Sequence, residues 1–153
     1  MASKSQLKTI NEILKIEGMT VTAYQLITEI GCIIYLKNQQ CSMVCSNCGH
    51  LSNKLHLLGA THAEETSAWL HPQNHWLTVR DLPLGENPVY LKINRRQFKC
   101  LNCEKKFSEE FSFVKKRSRF TNRVKQKIVE EILSSDIKNV AKRNGLSEQE
   151  VET

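Results

Sequence analysis

Two cysteine pairs, Cys45-Ser46-Asn47-Cys48 and Cys100-Leu101-Asn102-Cys103, constrain this chain more than any other feature. Two residues between cysteines let both sulfurs point into one narrow turn, so each pair is half of a tetrahedral metal site. Four thiolates suit zinc, whose borderline-soft character and tetrahedral preference they satisfy with no position left open. Such a closed site is a staple, with no vacancy for catalysis. Gly49 follows the first pair and supplies the conformational freedom the turn needs, whereas the second pair has Glu104 at that place. The metal closes a loop of roughly fifty residues, and structural zinc contributes on the order of 10–16 kcal/mol in finger peptides.

Two cysteines remain outside the pairs. Cys32 lies in the run Cys-Ile-Ile-Tyr and reads as a small buried thiol. Cys41, four positions before Cys45, is a competing ligand in principle. His71 and His75 have a spacing that a metal could use, but joining them to Cys45 and Cys48 would orphan the second pair. A thiol enzyme is a weak reading, because metal-bound sulfurs are not free to react. The acidic residues offer no separate carboxylate cluster for two-metal catalysis, so no catalytic residue is assigned.

With 153 residues the chain has room for one domain or two small ones. Its formal charge of +6 favours an anionic partner. It has no apolar run of membrane-spanning length and no signal-peptide core at its start, so a cytoplasmic location without membrane contact is expected. That setting keeps thiols reduced and favours metal over disulfides.

Residues 5–17 have the spacing of a short amphipathic helix stopped at Gly18. Met19–Ile27 and Cys32–Lys37 read as strands of a hairpin, with Gly31 between them. A short helix is expected over Ala63–Leu70, ended by Pro72. Asp81-Leu82-Pro83-Leu84-Gly85 has turn chemistry, and Val89–Ile93 alternates as a strand. Phe107, Phe111 and Phe113 are expected to pack beneath the second metal turn.

Between Lys92 and Lys127 thirteen Lys/Arg stand against only Glu104, Glu109 and Glu110. That density exceeds what a solvated face requires and points to phosphate binding. The candidate contacts are Arg95, Arg96, Lys99, Lys115, Lys116, Arg117, Arg119 and Arg123.

The last thirty-odd residues are helical in pattern. Thr121 is a cap for a helix with Val124, Ile128, Val129, Ile132 and Leu133 on its apolar face. Asp136 caps a second helix, and Ser147-Glu148-Gln149-Glu150 is a capping box opening a third. Ala141, Gly145 and Val151 fit a helix-turn-helix: a small residue at the crossing, Gly in the left-handed turn, a β-branched residue packing back. Ser147 and Gln149 then stand where a recognition helix meets bases. The third helix is short, so fraying over Ser147–Thr153 and weak, mostly non-specific binding are expected.

These pieces, in this order, resemble the N-terminal half of ISL-three family insertion-sequence transposases, particularly the cyanobacterial-type members. The resemblance rests on Cys45-x-x-Cys48-Gly49, Val79-Arg80-Asp81-Leu82-Pro83-Leu84-Gly85 and Pro88-Val89-Tyr90-Leu91-Lys92. It continues through Arg95-Arg96-Gln97-Phe98-Lys99-Cys100-x-x-Cys103, Phe107-Ser108-Glu109-Glu110 and Val140-Ala141-Lys142-Arg143-Asn144-Gly145. It implies a zinc-binding segment and a helix-turn-helix that bind DNA at transposon ends, with strand-transfer chemistry belonging to a catalytic domain that this sequence lacks. The gap between His56 and Arg80 is longer than the family pattern. The expected architecture is α+β: a small zinc-ribbon-like domain with β-hairpins over 1–113, then an incomplete helical helix-turn-helix over 114–153. The rival reading is a zinc-stabilised interaction module that self-associates or regulates a full-length transposase.

Overall fold

In the computed structural model, which describes residues 2–56 and 75–152, the cysteine pairs sit at the tips of two small hairpins beside a four-stranded sheet. The expected helix over 63–70, the His71 site and the side chain of His75 lie outside the described residues. Helix α1 covers Lys4–Leu14, and strands β1 (Met19–Ile27) and β2 (Gly31–Asn38) form the expected antiparallel hairpin. The helix is shorter than its spacing predicts. Lys15 turns left-handed at φ 48° and ends it three residues before Gly18. At its start Ser3 and Gln6 form a reciprocal capping box.

Strands β3 (Met43–Val44) and β4 (Leu51–Ser52) carry the first cysteine turn. Strand β5 (His75–Leu84) pairs antiparallel with β6 (Asn87–Arg95), and β7 (Gln97–Lys99) with β8 (Lys106–Ser108) carries the second turn. The main sheet has the order β1-β2-β6-β5, with β2 and β6 parallel. The turn expected over Asp81–Gly85 is narrower than its composition suggests. Asp81–Leu84 belong to the end of β5, and the register shifts between Asp81 and Leu84. Pro83, which has no N–H to give a ladder, is accommodated by that irregularity.

One face of the sheet makes the larger core. Leu14, Met19, Val21, Ile34, Leu36, Val79, Val89, Leu91 and Ile93 are buried there, with Cys32 as the small apolar thiol its sequence context suggests. Phe111, Phe113 and Val114 pack on this core. Of the three expected aromatics, only Phe107 lies beneath the metal turn, where it stacks on Phe98 at 5.7 Å between centroids. The chain leaves the metal turn after β8, so Phe111 and Phe113 reach the sheet instead.

Three helices close the described chain: α2 (Asn122–Ile132), α3 (Ile137–Asn144) and α4 (Glu148–Glu152). Val124, Ile128, Val140, Ala141 and Val151 form their core, against which Leu82 and Phe120 also pack. The apolar face expected for α2 is too wide. Val129 and Leu133 are 57% and 83% exposed: Val129 borders an open depression shared with Ser147 and Gln149, and Leu133 stands past the last residue of α2.

Candidate metal centre and nucleic-acid interface

The two hairpins meet so that all four sulfurs of Cys45, Cys48, Cys100 and Cys103 lie within 4.8 Å of one another. Cys45 and Cys103 are 3.7 Å apart, and Cys48 and Cys100 are 3.5 Å apart. Thiolates about 2.3 Å from a tetrahedral zinc stand about 3.8 Å from one another, so the cluster fits zinc. Cys41 is exposed and outside the cluster.

The turns are built alike. Cys45 N–H donates to the His50 carbonyl at 2.8 Å, and Cys100 N–H to the Lys105 carbonyl at 2.9 Å. Gly49 and Glu104 both take positive φ, 73° and 59°. The Glu104 conformation costs a residue with a Cβ about 1–2 kcal/mol, which the metal-bound turn must hold in place. Backbone and side-chain amides feed the sulfurs. The His50 amide, then the Asn102 side chain, hold the Cys48 thiol down to about 6. The Lys105 amide lowers Cys103. Cys100, although the Cys103 amide points at it, is pushed up to about 11 by burial and the neighbouring thiols Cys48 and Cys103. Metal binding replaces these shared protons. Lys105 also donates to Asn47 Oδ1 at 3.0 Å, tying one turn to the other.

The basic residues divide into engaged and available groups. Arg96 donates from Nη2 to Glu109 Oε1 at 2.6 Å and from Nε to Oε2 at 3.2 Å. Arg95 Nε donates to the Glu109 carbonyl at 2.8 Å. Arg123 grips both oxygens of buried Asp81, with Nε 2.7 Å from Oδ1, and its Nη1 donates to the Leu14 carbonyl. Arg96 and Arg123 therefore hold elements together and have little guanidinium left for phosphate. Lys99 is half-buried on β7. Lys115, Lys116, Arg117 and Arg119 are exposed on the segment leading into α2.

Two of the three expected helix caps, those of α3 and α4, have the geometry their sequence implies. Asp136 accepts from the Asn139 N–H at 2.9 Å. Gly145 takes φ 60° between α3 and α4, a left-handed position that suits glycine. The Ser147 N–H donates to Glu150 Oε2 at 2.9 Å, and the Glu150 N–H returns a bond to Ser147 Oγ. Thr121 precedes α2 but does not cap it; its hydroxyl donates to Asp81 Oδ1 at 2.8 Å. Ser147 and Gln149 line a depression of about 550 Å³ together with Arg117, Arg119, Phe120 and Lys125. Glu150 also lines it. Its carboxyl is held below the usual range by the Ser147 amide and hydroxyl, and further by the charges of Arg80 and Arg119.

A helix-turn-helix domain of transposase family ISL3 matches residues 109–153. A zinc finger of transposases IS204/IS1001/IS1096/IS1165 matches residues 72–103. The chain carries the zinc-finger and helix-turn-helix segments of an ISL3-family transposase. The zinc-finger match takes in Cys100 and Cys103 and stops short of Cys45 and Cys48, which the hairpin packing alone brings to the site. No curated protein and no solved structure matches the chain. Both segments belong to the DNA-binding part of such a transposase, and no helix among the described residues is long and apolar enough to cross a membrane.

Sequence reasoning located the four sulfurs and the helix-turn-helix, but it missed Arg80. This residue sits on β5 yet bonds the end of α3, with Nη2 2.6 Å from the Asn144 carbonyl and Nη1 3.1 Å from that of Gly145. A lone arginine in a strand carries no local signal of such a partner.

Proposed function

We propose that the chain binds the duplex at transposon ends, in the cytoplasm, with the turn into α4 facing bases and the basic segment before α2 holding phosphates. The observation that carries this reading is the shared depression, where Arg117, Arg119 and Lys125 stand beside Ser147 and Gln149. Phosphate contacts position a protein on DNA and base-edge contacts specify the site, and here both kinds of side chain border one surface. The phosphate-holding residues are Lys115, Lys116, Arg117 and Arg119, with Lys99 and Arg95 as peripheral cations. Arg96 and Arg123 serve the fold.

Zinc held by Cys45, Cys48, Cys100 and Cys103 would fix the two hairpins to each other and take no part in chemistry. The units we assign to 1–113 and 114–153 work as one body. Val114 packs in the sheet core, and Leu82 of β5 packs in the helical one. The matched segments favour DNA binding over a purely protein-interacting module. Binding of the zinc-loaded chain to duplex DNA across a salt series tests the reading. Affinity should fall steeply with salt, about 0.9 in log–log slope per phosphate contacted. Affinity that ignores salt would overturn it.

A further inference from the structure

We propose that Arg80 is a positioning residue for DNA recognition: it fixes the direction of α4 from the sheet, so that sequence selectivity, and not phosphate-driven affinity, depends on it. The proposal rests on the DNA-binding reading above and names the device that aims the reading helix.

The side chain of Arg80 meets the end of α3. The last carbonyls of a helix lack intrahelical partners and carry the negative end of its dipole. At the end of α3 two of them, Asn144 O and Gly145 O, receive the two terminal nitrogens of Arg80. A planar fork suits two neighbouring acceptors in a way a single ammonium cannot.

The backbone of Arg80 is tied as well. Its N–H donates to the Arg119 carbonyl at 2.8 Å, and its carbonyl accepts from the Thr121 N–H at 3.0 Å. One residue of β5 thus grips the chain just before α2 through its backbone and the end of α3 through its side chain. Asp81, next on the strand, holds Arg123 in the first turn of α2.

The turn is held from its other side by α2. Asn144 Nδ2 donates to Glu131 Oε2 at 2.7 Å, and Lys127 Nζ donates to Asn144 Oδ1 at 3.4 Å. The turn is therefore clamped between β5 and α2. This matters because α4 spans only Glu148–Glu152 and has one buried residue, Val151. A helix that short does not hold itself in water. Its direction is inherited from the turn, and the turn is pinned to the sheet by Arg80. Both terminal nitrogens of Arg80 donate to carbonyls at this turn, and its charge also acts on Glu150 in α4.

The test compares the zinc-loaded chain with its Arg80→Met and Arg80→Lys variants. The probes are a duplex selected by the unaltered chain from a random pool and a random duplex of equal length. Positioning predicts that Arg80→Met speeds amide exchange over Gly145–Val151 about tenfold, in line with losing hydrogen bonds to a charged group. Exchange in β2 and β6 should be unchanged. The ratio of selected to random affinity should fall by a similar factor, with the salt slope unchanged. Arg80→Lys should fall between, since one ammonium reaches one carbonyl well. A slope lowered by about 0.9 with the ratio intact would make Arg80 a phosphate ligand and overturn the proposal. Unchanged exchange over Gly145–Val151 would overturn it too. Should Arg80→Met loosen the sheet amides as well, the milder Arg80→Lys decides by whether its effect stays confined to Gly145–Val151. Should the unaltered chain select no duplex, the DNA reading fails by itself, and amide exchange still judges whether Arg80 holds α4.

Discussion

Arg96 closes a two-nitrogen fork on Glu109, whose side chain is fully shut off from solvent, and Asn38 Nδ2 completes the shell at 2.8 Å. The arginine is 24% exposed and the carboxylate is not exposed at all, so the two partners are unequal. Removing the arginine strands a buried negative charge; removing the acid leaves a cation that can turn to water. Arg96→Met should therefore destabilise the fold by about 3–5 kcal/mol, and Glu109→Gln by about 1–3 kcal/mol. Urea unfolding of the zinc-loaded chain measures both, and equal losses would contradict the asymmetry.

Metal should follow the sulfur geometry. Cys100→Ser removes a thiolate at a fully buried position and leaves three others repelling one another, so stoichiometric zinc binding should be lost and the hairpins should separate. Cys41→Ser and Cys32→Ser should retain one zinc per chain, measured by elemental analysis after dialysis. Zinc retained by the Cys100 variant would remove that residue from the ligand set.

The second metal turn carries a conformational cost that the first does not. Glu104 stands at φ 59° where its counterpart is Gly49. Asparagine tolerates this region better than glutamate, and Glu104→Asn should stabilise the zinc-bound chain by about 0.5–1 kcal/mol. A thermal midpoint that falls would mean the Glu104 side chain has a compensating role.

Phosphate contact should be confined to the available cations. Neutralising Lys115 with Lys116, or Arg117 with Arg119, should lower the salt slope by about 1.8 per pair if each residue meets one phosphate. Arg123→Met should instead show its effect in unfolding, because its guanidinium serves Asp81 and the Leu14 carbonyl. A DNA titration across salt, run beside urea unfolding, separates the two classes. An unchanged slope in both lysine and arginine pairs would reassign the segment to a solvated face.

What the sequence disclosed was whatever depends on near neighbours. The cysteine turns, the Asp136 cap, Gly145 and the Ser147–Glu150 box are each written within a few residues. The β1–β2 hairpin shows for the same reason. The parallel pairing of β2 with β6 joins residues more than fifty apart, Cys32 with Val89 for instance, and no local pattern announces it. Arg96 and Arg123 look like every other cation in a basic run until the fold brings Glu109 and Asp81 to them. Phe111 and Phe113 are legible as packing residues, but not as belonging to the sheet. Their destination depends on where the chain turns after β8.

The ends of the stretch 57–74 meet the same short piece of chain. His56 N–H donates to the Gln97 carbonyl at 2.8 Å, and His75 pairs with Arg95. The route out of the metal turn and the route into β5 thus open near each other, at Gln97 where β7 begins and at Arg95 where β6 ends. Closing such a gap costs little more for a long connection than for a short one. The fold leaves a port here, through which a fluorescent peptide or a purification handle could be spliced while the four sulfurs and the recognition turn keep their places.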